Sequence, residues 1–154
     1  LVLSTLHTND APTAITRLVD LGVPPYLVNS TIIGVMAQRL VRKVCKNCKM
    51  ELPADPDVLR RLGISEDRIK GAKIVKGAGC DKCSNSGYKG RMAIHELMVV
   101  DEHVRKAIIE GKTSTEVKAV AREKSGMRSL MEDGIEKALQ GSTTLEEIVS
   151  AITD

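Results

Sequence analysis

Phe and Trp are absent from the 154 residues, and Tyr26 and Tyr88 are the only aromatic side chains. A hydrophobic core must therefore be aliphatic, and the stacking platforms on which single-stranded nucleic acids lie are nearly missing. The longest apolar runs are a few residues, far short of the roughly 20 needed to cross a bilayer. No signal peptide is evident either. Net charge is small: the formal value is +3. That is no polycation for nucleic acid. No G-x-x-x-x-G-K-[ST] phosphate loop occurs, and no apolar strand ends in the acidic pair of a Walker B element. The parts that cradle a nucleotide are not in this chain.

Present instead are four cysteines, all in two C-x-x-C pairs: Cys45 with Cys48, and Cys80 with Cys83. Such spacing reads as one tetrahedral zinc site, because a tight turn presents two sulfurs to one ion and two turns complete the shell. With no secretory marker, the cysteines argue for a reducing cytosol rather than a disulfide framework. Four sulfurs leave no position for water, so the site is expected to be structural. Reduced thiols or a redox-active pair are the competing readings. Arg42, Lys43, Lys46 and Lys49 flank one pair and Lys76, Lys82 and Lys89 the other. These cations would favour thiolates, or form an ordinary solvated surface.

A 42% hydrophobic content supports a real core. Residues 1–6 (LVLSTL) read as a buried parallel strand, followed at its carboxyl end by polar His7-Thr8-Asn9-Asp10, where open α/β sheets place ligands. The first residue, Leu1, falls inside that strand, so the chain is expected to be a piece of something longer. Asn9 or Asp10 caps a helix whose apolar positions run from Ala14 to Leu21, with Gly22 as its stop. Pro24 and Pro25 open a second short helix. A strand is expected over residues 35–42. Between the cysteine pairs come extended chain at 50–53, small helices after Asp55 or Asp57 and at 65–68, and a short strand at 73–76. Residues 87–90 read as a glycine-bracketed turn and 91–100 as a strand entering the core. Beyond Asp101 the signals are helical, with capping boxes at Thr113–Glu116, Ser129–Glu132 and Thr144–Glu147, and stops at Gly111, Gly126 and Gly141.

His7 is a candidate functional residue by its place after the first strand. His95, in a strand, and His103, on a helix surface, pair with no obvious base. Arg39, Arg42 and Arg91 could bind phosphate as planar forks or stand as surface arginines.

The order of four blocks carries a resemblance over essentially the whole chain. These are STLHTNDAPTAITRL (4–18), GVMAQRLVRKVC-x-x-C (34–48), GC-x-x-C followed by GYKGRMAIHELM (79–98), and GMRSLMEDGIEKALQGSTTLEE (126–147). Together they resemble the type II secretion and type IV pilus assembly ATPases, protein E of the general secretory pathway and the pilus extension motor. The resemblance implies an α/β fold: the carboxyl-terminal portion of a RecA-like P-loop ATPase domain with a tetracysteine zinc subdomain and an all-helical C-terminal end. It divides the chain into a partial ATPase domain (1–44), the zinc subdomain (45–90), a strand returning to the core (91–100) and a helical subdomain (101–154).

It further implies a homo-hexameric motor at the cytoplasmic face of the inner membrane, using ATP and Mg2+, with a membrane platform protein as partner. Structural Zn2+ would be held by Cys45, Cys48, Cys80 and Cys83, as in assembly rather than retraction motors. His7 matches the family's histidine box near the γ-phosphate, the catalytic candidate. Arg39 and Arg91 fall in blocks near the nucleotide or a subunit contact. The phosphate loop and acidic boxes would precede Leu1, so this piece alone is expected to be inactive. His95 departs from the aromatic that relatives often carry. A stand-alone zinc-ribbon interaction module is the alternative.

Overall fold

A computed structural model describes residues 1–53, 55–70, 72 and 74–153. The chain forms two compact units, one of Leu1–Gln38 with His95–Ser129, the other of Arg39–Ile94 with Leu130–Asp154. Two long strands, β1 (Gly34–Val44) and β4 (Tyr88–Val99), pair with each other and contribute to both units. In β1 the burial alternates along the strand, as a half-buried β pattern requires.

The first unit also holds α1 (Ala11–Asp20), α2 (Pro25–Thr31), α5 (Glu102–Ile109) and α6 (Ser114–Lys124). Asp10 caps α1, accepting from Thr13 N–H at 3.0 Å, and Pro12 sits in the first turn, where its missing N–H costs nothing. The unit's core is aliphatic: Ala11, Ile15, Val28, Met98, Val104, Ile108, Val117 and Ala121 pack together where α6 meets α1 and α5, and α5 meets α2. The glycine stops act as expected. At Gly111, φ is +68°, and Lys112 N–H reaches back to Ala107 C=O, closing the last turn of α5.

The second unit holds α3 (Pro56–Arg61), α4 (Glu66–Ile69), α7 (Leu130–Leu139), α8 (Leu145–Thr153) and a small ribbon. In the ribbon, β2 (Lys49–Glu51) pairs antiparallel with β3 (Val75–Gly77), Met50 facing Lys76. Val41, Leu59, Leu62, Ile94, Ile135, Ala138, Leu145 and Ile148 form a separate core, with α8 packed on α7 and α3. Fully burying Ile94 and Ile148 contributes about 1.5–3 kcal/mol each.

Two expectations fail. Residues 1–6 form no strand, and Leu1, Val2 and Leu3 are 87% exposed or more. A buried parallel strand needs neighbours on its edges and faces, and among the described residues no strand pairs with this stretch. Residues 88–90 are not a turn but the start of β4, the bend falling earlier, at Ser84–Gly87. In the expected strand at 73–76, Lys73 lies outside the described residues, and pairing begins at Val75.

Candidate metal centre and the start of helix α1

Both cysteine pairs belong to the second unit, and the ribbon brings them together. Cys45 follows the end of β1, and Cys48 turns back with its N–H on Cys45 C=O (3.3 Å). Across the ribbon, Ala78 N–H donates to Cys48 C=O at 2.9 Å and delivers the chain to Cys80. A single 3-10 turn over Asp81–Cys83 then presents the second pair, and Ser84 and Asn85 adopt left-handed backbone so that Asn85 N–H can reach Cys80 C=O. Glycine beside the cysteines has a steric reason. Gly77 and Gly87 approach backbone to backbone, and a Cβ on Gly77 would collide with the Gly87 carbonyl.

The four Sγ atoms all lie within 4.8 Å of one another. Cys45 to Cys80 is 3.9 Å, Cys48 to Cys83 is 3.8 Å, and Cys80 to Cys83 is 3.7 Å. A tetrahedron with metal–sulfur bonds of about 2.3 Å has edges of about 3.8 Å. A disulfide would need about 2.05 Å, and all four cysteines are free. The donor set therefore fits a tetrahedral, thiolate-binding ion such as zinc, with no vertex left for water.

Around the sulfurs stand donors that suit a thiolate. Gly79 N–H points at Cys48 Sγ, Cys80 N–H at Cys83 Sγ and the Asn47 side-chain amide at Cys80 Sγ, each at 3.3 Å. Asn47, with backbone N–H groups, draws the Cys80 thiol down to about 6. Desolvation, with the neighbouring sulfurs, pushes Cys48 up to about 12. Four thiolates this close repel one another, so the cluster needs a cation to be fully ionised. Lys43, Lys46, Lys82 and Lys89 line a depression of ≈ 400 Å³ with Cys45 and Asn47, keeping positive charge at the lobe's surface.

The remaining candidates are divided between the two units. His7 is exposed and belongs to the first unit, whereas Arg39, half-buried in β1, and Arg91, exposed in β4, belong to the second. His95 is half-buried in β4, and His103 lies 3.9 Å from Glu102 on the surface of α5. Arg42 is no free phosphate fork: its guanidinium grips the Glu147 carboxylate, with Nε at 3.0 Å from Oε2.

The turn after His7 is also occupied. Thr13 N–H goes to Asp10, and Ala11 N–H goes to Glu96 Oε1 at 2.9 Å. Lys118 Nζ binds Asp10 Oδ2 at 2.8 Å and stands 4.0 Å from Glu96 Oε2. Burial raises the Asp10 pKa, but the Lys118 and Thr13 bonds outweigh it and hold the carboxyl below its ordinary value. Two carboxylates on the first turn of α1 thus take the donors that an anion would use. Glu96, 1% exposed, escaped the sequence reading; its signal was an acidic residue on the apolar face of the strand MAIHELM.

Comparison with known proteins bears on the whole chain. A family model described as "Type II/IV secretion system protein" matches residues 1–150. The type IV pilus assembly ATPase PilB of Thermus thermophilus is 58% identical over 150 residues, covering 97% of this chain and 17% of that protein. The type II secretion system protein HxcR of Pseudomonas aeruginosa is 45% identical over all of this chain and 29% of its own length. Type II secretion system protein E of Aeromonas hydrophila is 40% identical over 97% of this chain and 29% of its own. The chain spans less than a third of the length of these relatives. With its match running from the first residue to the last helix, the chain belongs to the type II/IV secretion system protein family.

Proposed function

We propose that these residues are the carboxyl-terminal part of an ATP-hydrolysing motor that drives type IV pilus assembly or type II secretion. The observation that carries this is the 58% identity, over nearly the whole chain, to a relative named as a pilus assembly ATPase. On this reading residues 1–44 belong to a RecA-like ATPase domain, 45–90 are a zinc subdomain, 91–100 return to the core and 101–154 form a helical end. The motor is a homo-hexamer using ATP and Mg2+ at the cytoplasmic face of the inner membrane, passing motion to a platform protein there. Among the described residues no helix is long and apolar enough to cross a membrane.

Cys45, Cys48, Cys80 and Cys83 hold Zn2+, which when bound supplies a closed cross-link and no catalytic position. Its task is to keep the second lobe rigid. His7 serves the nucleotide's γ-phosphate side, and Arg39 and Arg91 the nucleotide or a subunit contact. Hydrolysis needs the phosphate loop and acidic boxes, which the 154 residues lack.

The test compares the full-length motor with the isolated chain. The full-length protein hydrolyses ATP and the isolated chain does not. His7→Ala in the full-length protein lowers kcat by about tenfold or more without shifting the melting temperature. Undiminished turnover removes His7 from the mechanism, and a full-length protein without ATPase activity overturns the motor reading.

A further inference from the structure

We propose that Glu96 is a positioning residue for the motor: through the first turn of α1 it sets the turn that carries His7. The inference rests on the motor reading above and goes beyond it, because it gives a role to a residue outside the histidine, arginine and cysteine candidates, one whose Oε1 accepts from the backbone of α1.

The argument starts from a cost. Glu96 is 1% exposed and sits in β4 between Ile94 and Met98, both fully buried. A carboxylate there must be desolvated, and an apolar side chain of similar size would serve the core better. What the carboxylate does instead is reach two other elements of the same unit. Oε1 accepts the N–H of Ala11, the first residue of α1, in a buried bond of 2.9 Å. Oε2 faces Lys118 of α6 at 4.0 Å, and Lys118 in turn binds Asp10 at 2.8 Å.

Asp10 completes the arrangement by accepting from both the N–H (3.0 Å) and the hydroxyl (2.5 Å) of Thr13. Pro12 has no N–H to offer. The donors at Ala11 and Thr13 are therefore tied, one to β4 and one to a cap that is itself held by α6. An Asp10 cap alone would start a helix but would not fix where that helix starts relative to β4. Glu96 supplies the long-range half of the fixation. His7 lies only Thr8 and Asn9 before the capped residue, and residues 1–8 have no secondary structure of their own. The start of α1 thus tethers His7, limiting its reach from Asp10 to about 11 Å of chain.

The experiment uses the full-length motor with Glu96→Ala, Glu96→Gln, His7→Ala and the double variant His7→Ala/Glu96→Ala. Glu96→Ala removes the acceptor for Ala11 N–H and lowers kcat by about tenfold or more, with KM for ATP changed less than about twofold. Glu96→Gln retains an oxygen acceptor and recovers most of kcat. The double variant is no slower than His7→Ala alone, because a residue that acts through His7 has nothing left to position. Losses that multiply in the double variant, or unchanged kcat in Glu96→Ala, overturn the inference.

Amide hydrogen exchange gives a reading independent of turnover. Glu96→Ala speeds exchange at Ala11 and Thr13 while Val117 in the core of α6 stays protected. Unchanged exchange at those two amides overturns the inference whether or not the protein hydrolyses ATP. Failure of wild-type hydrolysis, by contrast, strikes the motor reading and leaves the exchange result to decide the pinning.

Discussion

A single arginine shows how far a side chain's role depends on what folds against it. Arg42 reads in the sequence as a possible phosphate fork, yet its donors face Glu147: Nε and the backbone N–H both reach Oε2, at 3.0 and 3.1 Å. Its guanidinium also lies 4.2 Å from the centre of the Tyr88 ring, and the Tyr88 hydroxyl pairs with Thr144 Oγ1 at 3.1 Å. The Arg42 bond holds the Glu147 carboxyl below its ordinary value. The sign follows: a depressed carboxylate stabilises the fold above its unfolded pKa of about 4.3, and that contribution is lost as pH falls through the folded value. Arg42 is 56% exposed and so partly screened, which places the effect near about 1 kcal/mol. Glu147→Gln should therefore lower the melting temperature at pH 7, and the gap to wild type should narrow as the pH falls below the unfolded carboxyl pKa of about 4.3. A gap that widens on acidification would contradict this assignment.

Helices were the most legible elements, because their signals lie within a few residues of one another. The box at Thr113 closes as written: Glu116 Oε2 accepts Thr113 N–H at 2.9 Å, and Thr113 Oγ1 accepts Glu116 N–H at 3.4 Å. Thr113→Ala should cost about 1 kcal/mol, read by chemical denaturation. The box at Thr144 is used differently. Thr144 Oγ1 caps Glu147 N–H at 3.2 Å, while the Glu147 carboxylate is engaged by Arg42. Local spacing cannot reveal such a partner 105 residues away, nor the Ala11–Glu96 bond across 85. The same limit explains the missing strand at residues 1–6, since apolar character shows that a strand could be buried but not that neighbours exist to bury it. Gly134, mid-helix in α7, carries a comparable long-range reason. A Cβ there would stand 2.9 Å from two side-chain atoms of Ile148, which is fully buried and cannot yield easily. Gly134→Ala gains about 1 kcal/mol in helix propensity but overpacks the α7–α8 contact by about 1–3 kcal/mol. A lower melting temperature is expected, and a rise would show that the contact can relax.

At the scale of the whole chain, the metal centre and the two cores make a prediction that distinguishes a local cross-link from a general one. All four cysteines, the β2–β3 ribbon and the α7–α8 core lie in the second unit, while the first unit, with its core among α1, α2, α5 and α6, shows no metal-holding group among the described residues. The ribbon and the end of β1 are also tied to the α7–α8 connection of their own unit: Lys49 Nζ donates to Gly141 C=O at 2.7 Å, Val44 N–H to Ser142 C=O at 3.1 Å, and Thr143 Oγ1 to Arg42 C=O at 2.8 Å. A zinc ion held there would close a loop running from Cys45 to Cys83, and its loss would leave four sulfurs that cannot all be thiolates at their present separations. Stripping the metal with a chelator should therefore speed amide exchange at Gly79, Cys80 and Asn85, whose N–H groups bond within the cluster. It should also weaken protection at Val44 and Ser142, where strand and helix ends are joined. The interiors of α5 and α6, represented by Val104, Ala121 and Val117, should keep their protection. Acidification should release the metal in the same pattern, because protons compete for the thiolates. Uniform loss of protection in both units would mean that the zinc lobe stabilises the chain globally, and unchanged exchange at Gly79 and Cys80 would mean that the sulfurs hold their geometry without an ion.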